Sequence, residues 1–166
     1  MKSEIEFSPE FKERVRQWSR GEISWAEVEG FTGKQAQEAQ QTACDLARRG
    51  QLKKAAAIFE GLLAINPADH SSRAALGTVY QKMGRLEEAA SAYNLAIAGD
   101  AGDVVALANR GELRLKNGDV RGGLEDLTHA VEADPEGKTA SAQRARAIAT
   151  ALIREAAKAS AMSQSR

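Results

Sequence analysis

The chain has little of what most enzymatic chemistry needs: one cysteine, Cys44, two histidines, His70 and His129, and three prolines in 166 residues. A single thiol excludes an intrachain disulfide and fits a reducing compartment. Neither histidine has a Cys, His, Asp or Glu at ligand spacing on a shared helical face, so no metal site is expected. No histidine falls where it would meet Cys44, which leaves the thiol without a base. Glycine-rich phosphate loops and serine-centred elbows are missing too, so no catalytic residues and no cofactor are expected. The longest uninterrupted apolar run, Ala55 to Phe59, is far too short to cross a bilayer. The opening residues Met1 to Glu6 carry acids and no apolar run, so we expect no secretory signal and a cytoplasmic protein. Charge of one sign is not in excess: 23 basic residues balance 23 acidic ones. No whole-chain field would then draw nucleic acid or an anionic membrane, and neither is an expected partner.

Aromatics are also scarce, at 5%, and five of the eight (Phe7, Phe11, Trp18, Trp25 and Phe31) lie before residue 36. What the chain has in their place is alanine and a period. Gly50, Gly84 and Gly118 stand 34 residues apart, and Phe59, Tyr93 and Leu127 follow them at one offset. The same interval relates Ala55, Ala89 and Gly123, then Leu62, Ala96 and Ala130, then Pro67, Ala101 and Pro135. Each period holds two apolar-striped stretches of about a dozen residues, long enough for helices, parted by a glycine suited to ending the first. Small residues let the helix backbones approach, and the large apolar residue fills the space beside them. One such pair cannot bury its apolar face alone, whereas a stack of pairs can.

This period, turn glycine and closing proline resemble the tetratricopeptide repeat, a helix-turn-helix unit. The resemblance implies an all-α fold, an α-α superhelix of three repeats over 36–69, 70–103 and 104–137. In the first repeat the helices are expected near 33–49 and 52–65. The second is the best match, with Leu76, Gly77, Tyr80, Gly84, Ala89, Tyr93 and Ala96 at the signature positions. The third puts Arg110 and Arg114 where core residues belong. The reading preferred from sequence is that the apolar stripe has rotated to Val104, Leu107, Gly111 and Leu115, leaving both arginines solvated. The alternative is that they line a surface that meets an acidic group.

The flanks complete the expected organisation. Residues 1–35 form an N-terminal helical segment. Ser8-Pro9-Glu10 reads as a helix start, with Phe11, Val15 and Trp18 on one stripe. Ser24-Trp25-Ala26-Glu27 reads as a capping box, and Thr32 opens the next helix. The segment either caps the first repeat or presents Phe11, Val15 and Trp18 as an oligomer surface, which would make a homodimer. Residues 138–160 read as an amphipathic capping helix, and 161–166 as a frayed tail.

In repeats of this kind the first helices line a concave wall. The resemblance places Gln37, Gln40, Cys44, Ala47 and Arg48 there, then Ser71, Ala74, Thr78, Gln81 and Lys82, then Val105, Ala108, Glu112, Leu115 and Lys116. Small, uncharged residues dominate, leaving room for an inserted chain. Arg48, Lys82 and Lys116 recur at the repeat interval, as a basic ladder or as ordinary solvated positions. The carboxylate clamp by which some tetratricopeptide proteins hold a heat-shock chaperone is absent: its positions hold Gln40, Cys44, Ala75, Val105 and Asn109. The lead-in Ile23 to Thr32, three repeats and one capping helix together resemble the class II chaperones of bacterial type III secretion. That implies a non-catalytic adaptor or chaperone holding a protein or peptide segment in its groove. The alternatives are a generic scaffold subunit or a regulatory subunit of an enzyme.

Overall fold

The computed structural model describes residues 8–23, 30 and 32–164. Among them are eight helices and no strand: α1 (Pro9–Ser19), α2 (Gly33–Arg48), α3 (Leu52–Ile65), α4 (His70–Lys82), α5 (Leu86–Gly99), α6 (Val104–Lys116), α7 (Val120–Ala133) and α8 (Ala140–Gln164). The chain divides into two compact units, one ending at Asp69 and one beginning at His70. The fold is therefore all-α and built from helical hairpins.

In the first unit, Ser8 caps α1, its Oγ accepting the Phe11 N–H at 3.2 Å. Phe11 and Val15 are half-buried on that helix. A capping box starts α2: Gln35 N–H donates to Thr32 Oγ1 at 3.3 Å, and Thr32 N–H to Gln35 Oε1 at 2.9 Å. Helices α2 and α3 pack as a hairpin, burying Ala43 and Ala55 completely and Phe59 to 1% exposure. Phe7, Phe31, the expected capping box at 24–27 and the Trp18 side chain lie outside the described residues.

In the second unit each helix packs on the next from α4 to α8, and α6 also touches both α4 and α8. The turn that closes each hairpin needs a backbone that L side chains avoid, and Gly50, Gly84 and Gly118 supply it with φ of 75°, 77° and 85°. Close approach needs glycine for a second reason. A Cβ on Gly77 would lie 2.7 Å from the Tyr93 ring, and one on Gly123 would lie 2.9 Å from the Gly111 carbonyl. The bulky residue of each period then closes the gap: Tyr93 and Leu127 are fully buried. Each side chain withdrawn from water in this way contributes about 1.5–3 kcal/mol. Ile97 packs against both the Ala74–Tyr93 cluster and the Leu107–Leu127 cluster, joining them.

Two expectations are corrected here. Arg110 is not left in solvent, and Arg114, with 36% of its side chain exposed, is only partly so. The Arg110 side chain is 16% exposed and forks onto Asp126, itself 4% exposed, through bonds of 2.8 and 2.7 Å. Arg114 reaches the same carboxylate at 3.0 Å, and Arg110 also donates to Asn94 Oδ1 at 2.8 Å. The apolar stripe does bury Leu107 and Gly111, but the arginines are drawn inward because α7 offers a carboxylate at a helix-facing position. The last helix also runs past the expected end at 160, reaching Gln164. Alanine-rich sequence with no glycine or proline after Thr139 gives it no stop signal.

Candidate functional site

Within the second unit, residues of α4, α6 and α8 line a cleft of about 600 Å³. Thr78, Gln81 and Lys82 come from α4, Val105, Asn109, Glu112 and Lys116 from α6, and Ser141 and Arg144 from α8. Helical spacing explains the set. Residues 78, 81 and 82 share one side of α4, and 105, 109, 112 and 116 recur at intervals of three and four on α6.

A hydrogen-bonded network fixes the floor. Arg144 Nη2 donates to Asn109 Oδ1 at 2.7 Å, and Arg144 Nε donates to Glu112. Asn109 Nδ2 donates to Thr78 Oγ1 at 3.0 Å, and the Thr78 hydroxyl donates to the Ala74 carbonyl at 3.1 Å. The buried Tyr93 hydroxyl lies 2.8 Å from Gln81 Oε1 and 3.4 Å from Thr78 Oγ1. Burial disfavours the phenolate, so the Tyr93 pKa is pushed up to about 12. Asp103, which caps α6 by accepting the Ala106 N–H at 2.9 Å, is also raised by burial. Asp134 moves the other way, because the Lys138 and Thr139 backbone N–H groups donate to its carboxylate.

Six of the expected wall residues meet at this cleft: Thr78, Gln81, Lys82, Val105, Glu112 and Lys116. Ser71 is exposed on α4 but does not line it. Ala74 and Ala108 do not reach the wall, being 3% and 0% exposed in the packing between helices, and Leu115 packs against the Leu107–Leu127 cluster. The helical register placed them one step too far toward the groove. Gln37, Gln40, Cys44 and Arg48 lie on α2 of the first unit, Gln37 and Arg48 exposed and the other two half-buried. Arg48 is paired with Asp45 on its own helix at 2.7 Å.

Sequence reasoning had Asn109 only as a position of the absent clamp and not among the groove residues, and it missed Ser141 and Arg144 of α8 as lining. Among the described residues no three of His, Cys, Asp and Glu gather as a metal ion requires, and no helix is long and apolar enough to cross a membrane.

Residues 46–110 match the family model described as tetratricopeptide repeat. This segment is tetratricopeptide repeat. No curated protein matches the chain at a significant level. Among solved structures the chain is similar to the type III secretion translocator chaperone SycD of Yersinia enterocolitica: 20% identity over 78% of this chain and 98% of that one, TM-score 0.69. It is similar to PcrH from Pseudomonas aeruginosa, with 22% identity over 74% and 94% and a TM-score of 0.66. It is also similar to the Sgt2 TPR domain from Aspergillus fumigatus, with 23% identity over 76% and 83% and a TM-score of 0.65. SycD has also been solved with a peptide of the translocator YopD, and PcrH with the chaperone binding region of PopD. At these identities the likeness shows a shared fold.

Proposed function

We propose that the chain is a non-catalytic protein-binding module, an adaptor or secretion-type chaperone that holds a segment of a partner polypeptide against the open face of α4, α6 and α8. The observation that carries this reading is the cleft itself. It is open to solvent, floored by a network that pre-sets its polar groups, and built on a fold shared with chaperones that have been solved holding translocator segments. A floor ordered before binding lowers the entropy lost when a partner docks. Gln37, Gln40, Cys44 and Arg48 of the first repeat are taken as partner-binding residues as well, with repeats at 36–69, 70–103 and 104–137. The protein works in the cytoplasm without binding nucleic acid or inserting into membranes, and it pairs with a second copy through Phe11, Val15 and Trp18.

The test is co-purification from native cells, comparing the wild type with Val105→Trp. This exposed position reaches the cleft, so the bulky variant should lose a protein that the wild type retains, with helicity unchanged. Equal recovery would place binding elsewhere. A scaffold role is the second reading. It predicts that the retained protein folds equally well without this chain.

A further inference from the structure

The polar groups of the cleft are unevenly used. Thr78 Oγ1 accepts from Asn109, Asn109 Oδ1 and Glu112 accept from Arg144, and Gln81 Oε1 accepts from Tyr93. These acceptors on the floor are thus engaged by donors of the protein itself. Beside the second Glu112 oxygen and the Ser141 hydroxyl, what the cleft mainly offers a ligand is donors: the Gln81 amide NH₂ and the Lys82 and Lys116 ammonium groups.

Charge points the same way. The chain as a whole is neutral, yet the cleft has three cations, Lys82, Lys116 and Arg144, against one carboxylate, Glu112. Arg144 takes that carboxylate. Several arginines elsewhere have carboxylates beside them, as Arg48 has Asp45, Arg110 and Arg114 have Asp126, and Arg121 has Glu125. Among the described residues Lys82 and Lys116 are in no ion pair, and both are exposed. Other exposed lysines, Lys53, Lys54 and Lys158 among them, are in no ion pair either; what sets the cleft apart is that two such lysines line one concavity. Val105 lies beside them with 38% of its surface open.

We propose that the cleft selects a partner segment carrying an acidic side chain beside an apolar one, the carboxylate being received by Lys82, Lys116 and the Gln81 amide. This rests on the reading that the cleft binds polypeptide. A carboxylate fits because it brings acceptors and no donors, and a lysine-bearing segment is disfavoured by the same two ammonium groups.

The test pans a displayed library of random dodecapeptides against the full chain at low salt, with Val105→Trp to identify groove binders. Groove binders should be enriched in Asp and Glu. For one selected peptide, Lys82→Gln with Lys116→Gln should weaken binding about five- to tenfold. Replacing the peptide's acid by its amide should weaken binding to the wild type by a similar factor, and should change little in the lysine double variant. Groove binders with no acidic bias, or acidic binders indifferent to both lysines, overturn this inference and leave the groove reading standing. Peptides that bind Val105→Trp as well as wild type, or a failure to select any, overturn both.

Discussion

Arg144, on the last helix, donates to Asn109 Oδ1 at 2.7 Å across 35 residues of sequence. The bond places a residue of the terminal helix on the same wall as the repeats. It also commits the Asn109 amide, whose Nδ2 then faces Thr78. The helix that covers the exposed end of the last repeat is thereby a part of the candidate binding surface, and its removal would open both.

Arg144→Ala leaves Asn109, which is 8% exposed, with an unmet acceptor and frees Glu112. Urea unfolding should show a loss of about 1–2 kcal/mol. Arg144→Lys should recover little, because one ammonium cannot reproduce the forked contact to two acceptors.

The ion triad of the third repeat gives a larger effect. Asp126→Asn removes the carboxylate that Arg110 and Arg114 share. Arg110, 16% exposed, then has no counter-charge, while Arg114 keeps only Asp119 at 3.9 Å, and stability should fall by about 3 kcal/mol in equilibrium denaturation. Asp126→Ala combined with Arg110→Leu and Arg114→Tyr restores the residue types that the second repeat has at Ala92, Leu76 and Tyr80, and should regain most of the loss. If the triple variant is no more stable than Asp126→Asn, the pairing account of this site is wrong.

That substitution pattern also shows what the sequence made legible. The period, the turn glycines and the small-residue contacts could be read because each is enforced between neighbouring helices and so recurs every 34 residues. Arg110 and Arg114 could be seen as departures from the pattern, but their partner was not sought. The signal was present: Asp126 stands where the other repeats have Ala92 and Ile58, so three polar departures fall in one repeat together. Arg144 was beyond reach in this way, since it lies past the last closing proline, where the repeat no longer assigns faces. Ala74 and Ala108 were assigned to the wall because alanine fits a groove lining and a close helix contact equally well. Only packing separates those two uses.

Tyr93 gives a prediction in pH. Its pKa in the folded chain is about 12, above the ordinary 10.0, because burial penalises the phenolate. Folding therefore favours the protonated phenol. Its stabilising contribution is complete below pH 10 and is lost as pH rises through 12, since the unfolded chain gives up the proton first. Stability measured by denaturant should fall by about 2–3 kcal/mol across that window from this group. Tyr93→Phe should remove this part of the decline while lowering stability at neutral pH by about 1 kcal/mol, through the lost bonds to Gln81 and Thr78.

The central claim is that a partner polypeptide lies on the face formed by α4, α6 and α8. Site-specific photocrosslinking tests it most directly, with the reactive side chain placed at Val105 in the cleft or at Leu95 on α5, where 52% of the surface is open. The account predicts that the partner retained in native cells is captured from position 105 and not from position 95. Capture from 95 with none from 105 would contradict it.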